Sequence, residues 1–159
     1  MRPPRYPLEP LAEVRADQAN AAVRGLAVAV AGRDAAERDR HEAEKRREAH
    51  EVAAARVRDA EREALAHGAL RVGDLARAGA WETRVASEGA TLSSALERAH
   101  GAETRAREVE QTAQGEVASR KADVEVVAAD RARWDASLRK KAEAREEEAA
   151  EEAFRRKPR

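Results

Sequence analysis

The sequence contains no cysteine, and that removes disulfides, thiolate nucleophiles and cysteine-ligated metals from consideration. Aromatic residues make up only 3% of it, one phenylalanine, one tyrosine and two tryptophans, so a thick globular core has little to be built from. Net charge is also missing. Lys+Arg and Asp+Glu balance at 31 each, which leaves no field to draw the chain to nucleic acid or to an anionic membrane. No apolar run approaches the roughly 18 residues of a membrane span. The opening MRPPRYPLEP has no apolar stretch of the signal-peptide kind, and a soluble, cytoplasmic protein without direct membrane insertion is expected. Proline is absent from the whole interval between Pro10 and Pro158.

What fills that interval is alanine, glutamate and arginine, with 39% of all residues charged. This is the composition of long helices and coiled coils. Proline is tolerated only in a first helical turn, so a helix is expected over residues 8–67, behind a basic, proline-rich arm at residues 1–7. Gly68, Gly73 and Gly79 then fall close together in AHGALRVGDLARAGAW. Gly68 suits the position just past a helix end and Asp74 the first turn of the next helix, which places a turn at residues 68–72 and a second helix at residues 72–156.

On the first helix, Leu8, Ala12, Ala19, Val23, Leu26 and Val30 recur at helical spacing, and Ala36, Ala43, Ala53, Val57, Ala60 and Ala64 carry a narrow stripe on to the turn. Between them lies a highly charged stretch with opposite charges four apart, as at Arg40/Glu44 and Arg47/Glu51. The second helix reads Trp81, Val85, Leu92, Leu96, Ala99, Ala106, Ala113, Val117, Val124, Val127, Trp134 and Leu138, a 3.5-residue period that requires a partner. Glu103, Glu110, Arg120 and Arg131 interrupt the same stripe. A short turn joins antiparallel neighbours, so the fold expected is all-α: a long antiparallel two-helix coiled coil, or helical hairpin.

Chemistry-bearing clusters are few. His41 and His50 lie among Glu42, Glu44 and Glu48, but no two histidines are three or four apart, and a solvated charged face is the expected reading. GLAVAVAG at residues 25–32 lacks the Gly-Lys-Ser/Thr ending of a phosphate loop. A two-helix bundle offers carboxylates no pocket that shifts their pKa values, so neither catalytic, metal nor cofactor site is expected. Trp81 and Trp134 have two readings, seam packing or anchorage of a partner. The acidic run EAREEEAAEEAF at residues 143–154 is expected near Arg2, Arg5 and Arg15, where charge pairing would fix the register.

RYPLEPLAEVR, Arg5 to Arg15, resembles the opening of the FliJ family, the central stalk proteins of the flagellar export ATPase, whose injectisome relatives are the YscO-type proteins. DLARAGAWETRV, Asp74 to Val85, is similar to the FliJ stretch in which Asp-Leu precedes an aromatic and an aliphatic, the places held by Leu75, Trp81 and Val85. Arg120, Lys121 and Glu125 match an Arg-Lys…Glu pattern, and Glu151-Glu152-Ala153 resembles the family's acidic close.

The resemblance implies a non-enzymatic stalk of a type III export apparatus, cytoplasmic and peripheral to the inner membrane through that apparatus. Its partners would be the hexameric export ATPase, the cytoplasmic domain of the export gate, and export chaperones. Carried over by position, gate contact falls to Trp81, Val85, Glu88 and Leu92 on the second helix and to Arg47, Glu51, Ala54 and Arg58 on the first. Contact with the ATPase ring falls to Tyr6, Leu8, Leu11 and Phe154. The alternative is a generic coiled-coil scaffold or a peripheral stator of a rotary-type ATPase.

Overall fold

The structure, a computed structural model, describes residues 4–155. Residues 1–3 of the expected arm, Arg2 among them, and position 156 of the expected second helix lie outside the described residues. Two helices make up almost all of it: α1, Glu9–Ala66, and α2, Val72–Arg155. No strand occurs among the described residues. At the start of α1 the carbonyls of Tyr6 and Leu8 accept from the amides of Glu9 (3.3 Å) and Ala12 (3.0 Å). Pro10 falls in this first turn, where its missing N–H leaves no helical bond unmade.

The turn is closed by backbone bonds on one side and a side chain on the other. Gly68 has φ 68°, the left-handed conformation in which a Cβ would be strained. This lets its amide donate to Leu65 (3.0 Å) and the Ala69 amide donate to Ala64 (2.9 Å), which satisfies two of the last carbonyls of α1. Opposite, the Arg71 carbonyl accepts from Asp74 and Leu75. The Asp74 carboxylate reaches back to accept from the Arg71 amide at 2.8 Å. That bond, then a hydrogen bond from Arg77, holds the Asp74 carboxyl below its usual range.

The chain divides into two compact units, Met1–Leu26 with Ala113–Arg159 and Ala27–Thr112. In the second unit the helices are antiparallel, since cross-helix partners on α2 fall in number as those on α1 rise. Arg33 Nε meets Glu110 Oε2 at 3.1 Å, Arg40 Nε meets Glu103 Oε2 at 2.8 Å, and Arg58 grips Glu82 through two parallel bonds of 2.8 and 2.9 Å. The two seam glutamates that break the apolar stripe of α2 are thus answered from α1 by two arginines at the same one-heptad spacing. Glu103 is only 5% exposed. In the first unit, Arg15 pairs with Asp123 (2.8 Å) and Glu9 with Arg131 (2.9 Å), again antiparallel.

The apolar stripe expected on α2 is buried or half-buried at every position from Trp81 to Leu138. The stripe expected on α1 is half-buried at Ala12, Ala19, Leu26, Val30, Ala36, Ala43 and Ala64 and misses the contact line at Leu8, Val23, Ala53, Val57 and Ala60. Ala22, Ala29 and Ala54 are the buried residues, while Val23 and Val57 are 45% and 40% exposed and Ala53 and Ala60 are exposed. Small side chains take the contact line because they let the helices approach, and the larger valines are left on its rim. Three further expectations are corrected. His50 does not lie on a solvated face: it turns toward α2, with Nε2 buried and 3.6 Å from Glu88 Oε2. Gly89 allows this, since a Cβ there would stand 3.5 Å from the imidazole. Arg15 does not meet the acidic run 143–154 but Asp123, because Tyr6 docks far back from that run. Arg5 is exposed, with the charges of the acidic run exposed as well.

The buried Arg40–Glu103 pair gives a stability test. Arg40→Met leaves the buried Glu103 carboxylate with Arg107 of its own helix as its one cation and should lower unfolding free energy by about 1–3 kcal/mol, whereas Arg40→Met with Glu103→Leu should recover most of that loss. Chemical denaturation followed by circular dichroism checks both. Equal losses in the single and double variants would show that the pair does not couple the helices.

Candidate functional site

Two places combine exposed apolar side chains with built geometry, one in each unit. In the unit Ala27–Thr112, an open groove of about 540 Å³ lies beside the turn, with Val57, Leu65, Leu70, Leu75, Ala78 and Trp81 as its apolar lining. Leu65 and Leu75 are 59% and 52% exposed. Here the contact line between the helices is held by Arg58 and Glu82, whose ion pair stands at the groove wall. The arginine's hydrogen bond depresses the Glu82 carboxyl. With a polar clamp on the line, Leu65 and Leu75 are left exposed, and Trp81 is half-buried in the groove lining.

The residues expected at a gate-binding surface separate into four groups. Trp81 and Arg58 line this groove. Val85 and Ala54 are 9% and 4% exposed and act as packing between the helices. Glu88 and Leu92 line a smaller neighbouring groove of about 340 Å³ with His50, Ser87 and Thr91. Arg47 and Glu51 pair with each other along α1 at 2.9 Å. Leu65 and Leu70 are groove residues that sequence reasoning passed over. Their signal was the pair of leucines flanking the glycine break, where no partner helix remains to cover them.

The second place is the start of the chain. Tyr6 is 6% exposed, and its hydroxyl donates to Asp130 Oδ2 at 2.7 Å. Its ring meets Trp134 edge-on with centroids 5.6 Å apart, and the Arg131 guanidinium lies 5.9 Å from the ring centroid. Tyr6 is therefore a clamp that fastens the arm to α2, and Trp134 is its platform. Desolvation, followed by the Asp130 carboxylate, pushes the phenol up to about 12. Leu8 and Leu11 stay 42% and 39% exposed beside it, and Phe154 is 82% exposed. Of the four residues expected at an ATPase ring, three present free apolar surface and one is engaged within the chain.

Among the described residues no three or more His, Asp or Glu side chains are grouped to hold a metal ion, and no helix is long and apolar enough to cross a membrane. Both sites can offer surface to another protein.

Compared with known proteins, residues 3–154 match a family model described as YscO-like protein. No curated protein and no solved structure matches the chain.

Tyr6 is the sole tyrosine, so absorbance at 295 nm titrates it alone. Its folded pKa is raised above the ordinary 10, to about 12, so the clamp's contribution is complete below pH 10 and is lost as pH rises toward 12. Asp130→Asn should move the midpoint back toward 10. An unshifted midpoint in the wild-type protein would mean that the arm is undocked in solution.

Proposed function

Because the chain belongs to the YscO-like family, which groups it with type III secretion-related stalk proteins, we propose that it is a non-enzymatic central stalk of a type III protein export apparatus, FliJ-like, linking the hexameric export ATPase to the export gate. In this role it also assists the export of chaperones and substrates. The observation that carries the reading is the groove beside the turn: an apolar surface with an aromatic in its lining, held open by a salt bridge, on two helices that pair within one chain. Exposed apolar patches of this kind mark interaction sites. The gate's cytoplasmic domain takes the groove, and the ATPase ring takes the surface around Leu8 and Leu11, with Phe154 a separate contact about 35 Å further along α2 than Arg131. Chemistry belongs to the ATPase; the stalk supplies position and stiffness.

A scaffold or a peripheral stator would pair helices between chains. The salt bridges Arg33–Glu110, Arg40–Glu103 and Arg58–Glu82 already join the two helices of one chain and favour the stalk reading.

Trp81→Ala separates anchor from core. A fully buried indole would cost about 3–5 kcal/mol of stability when truncated. Half-buried in the groove lining, Trp81 should cost about 1 kcal/mol of stability, yet its loss should weaken gate binding by about 2 kcal/mol, near thirtyfold. Calorimetric titration with the gate's cytoplasmic domain, beside a thermal melt, reads both; a collapsed melt without a specific binding defect would overturn the gate assignment.

At the other surface, Leu8→Asp with Leu11→Asp should abolish stimulation of the cognate ATPase hexamer. The 295 nm titration of Tyr6 should stay unchanged, because the clamp itself is intact. Full stimulation by this variant would move the ring contact elsewhere.

A further inference from the structure

Beyond Leu138, α2 has no covering neighbour: every position from 139 to 155 whose burial is described is exposed. This is about 25 Å of helix at 1.5 Å per residue. Its charges are sorted into blocks. Arg139, Lys140, Lys141 and Arg145 make the first half basic with Glu143 as the exception, and Glu146, Glu147, Glu148, Glu151 and Glu152 make the second half acidic.

Elsewhere on these helices bonded pairs of opposite sign four apart, such as Arg40–Glu44 and Arg47–Glu51, stand among like pairs such as Glu44/Glu48 and Arg58/Arg62. Here Lys141 and Arg145, Glu143 and Glu147, Glu147 and Glu151, and Glu148 and Glu152 are like charges four apart, an arrangement that destabilises a lone helix. Glu151–Arg155, at 3.6 Å, is a complementary pair at the end of the segment. The segment therefore carries charges that its own helix does not neutralise, on a face that nothing in the chain covers.

We propose that residues 139–152 form a self-association site that pairs antiparallel with the same segment of a second copy. A two-fold axis between Arg145 and Glu146 lays each basic half over an acidic half, and the contact is self-complementary as an isologous interface must be. Ala142 and Ala149 exchange places across the axis, so each meets the other. Charge selects this occupant over others. A polyanion gains on the basic half and is repelled by the acidic half, a polycation suffers the reverse, and the segment's own sequence read backwards pairs Arg139 with Glu152, Lys140 with Glu151 and Arg145 with Glu146, against the one like pair Glu143/Glu148. The buried area is small, so the association is weak, salt-sensitive and specific in direction.

The inference does not rest on the stalk role and is tested with the full chain alone. Sedimentation velocity of the wild-type protein at low salt should show a concentration-dependent dimer that dissociates as salt shortens the screening length to about 3 Å at 1 M. One variant carries Arg139→Glu, Lys140→Glu and Arg145→Glu, and a second carries Glu146→Lys, Glu151→Lys and Glu152→Lys, the residues that face one another across the axis. All six positions are exposed, and circular dichroism verifies that helicity is kept. Each variant alone should lose self-association by about tenfold or more, because like charges then face each other. An equimolar mixture should restore the dimer as a heterodimer. A wild-type chain that stays monomeric at every concentration overturns the proposal. So does a variant that dimerises as well as the wild type, or a mixture that fails to recover.

Discussion

An alanine-lined seam lets two helices approach closely but gives them little reason to prefer one alignment over the next. Slipping by a heptad exchanges one methyl contact for another. What breaks this degeneracy in the unit Ala27–Thr112 is charge: Arg33 and Arg40 on one helix meet Glu110 and Glu103 on the other. Glu103 is 5% exposed, held by Arg40 across the seam and by Arg107 on its own helix, and an alignment that brings no arginine opposite leaves the buried carboxylate with one cation in place of two. The pairs add little net attraction, since their desolvation offsets most of the Coulomb gain. Their work is to penalise the alternatives, the same use that coiled coils make of a single buried polar residue.

That choice of register has consequences at the turn. Gly68 and Asp74 close it with backbone and side-chain bonds that need no apolar support. Arg58 and Glu82 hold the contact line just beyond it. A two-helix arrangement buries one stripe per helix and no more, so apolar residues next to a polar clamp have nowhere to go but outward. Leu65, Leu75 and Trp81 gather into a groove for this reason. The groove follows from placing an ion pair where a leucine pair would have closed the helices together.

The two helices were unequally legible in the sequence. On α2 valines, leucines and tryptophans mark the seam at 3.5-residue spacing on either side of an alanine stretch broken by Glu103 and Glu110, and each of them is covered. On α1 the search for apolar residues led to Ala53, Val57 and Ala60, whereas the covered line runs through Arg47, His50, Ala54, Arg58 and Glu61. Long polar side chains lay their aliphatic stems along a seam while the head group stays paired or wet, and a hydrophobicity pattern cannot see them there. The antiparallel pairing of Glu103 with Arg40 was hidden for the same reason: each charge looked like a flaw in its own helix, and only the register shows them to be one contact. His50 was hidden by its neighbours, since Glu42, Glu44 and Glu48 made its stretch read as solvated while Gly89, a long way off in sequence, provides its seat.

Tyr6 shows how the same few residues divide between fastening and display. An arm rich in proline makes few backbone bonds of its own, so it stays in place only if a side chain holds it. Tyrosine can do this on a half-wet surface because its ring packs on Trp134 and Arg131 while its hydroxyl finds Asp130. Leu8 and Leu11 lack any polar end to satisfy and follow the helix at angles that miss the seam, so they remain at 42% and 39% exposure. Deleting the arm would therefore remove clamp and display together and could not tell them apart. Substituting the leucines while the phenol still titrates high tests the display alone, because the raised pKa of Tyr6 reports that the arm is still seated against α2.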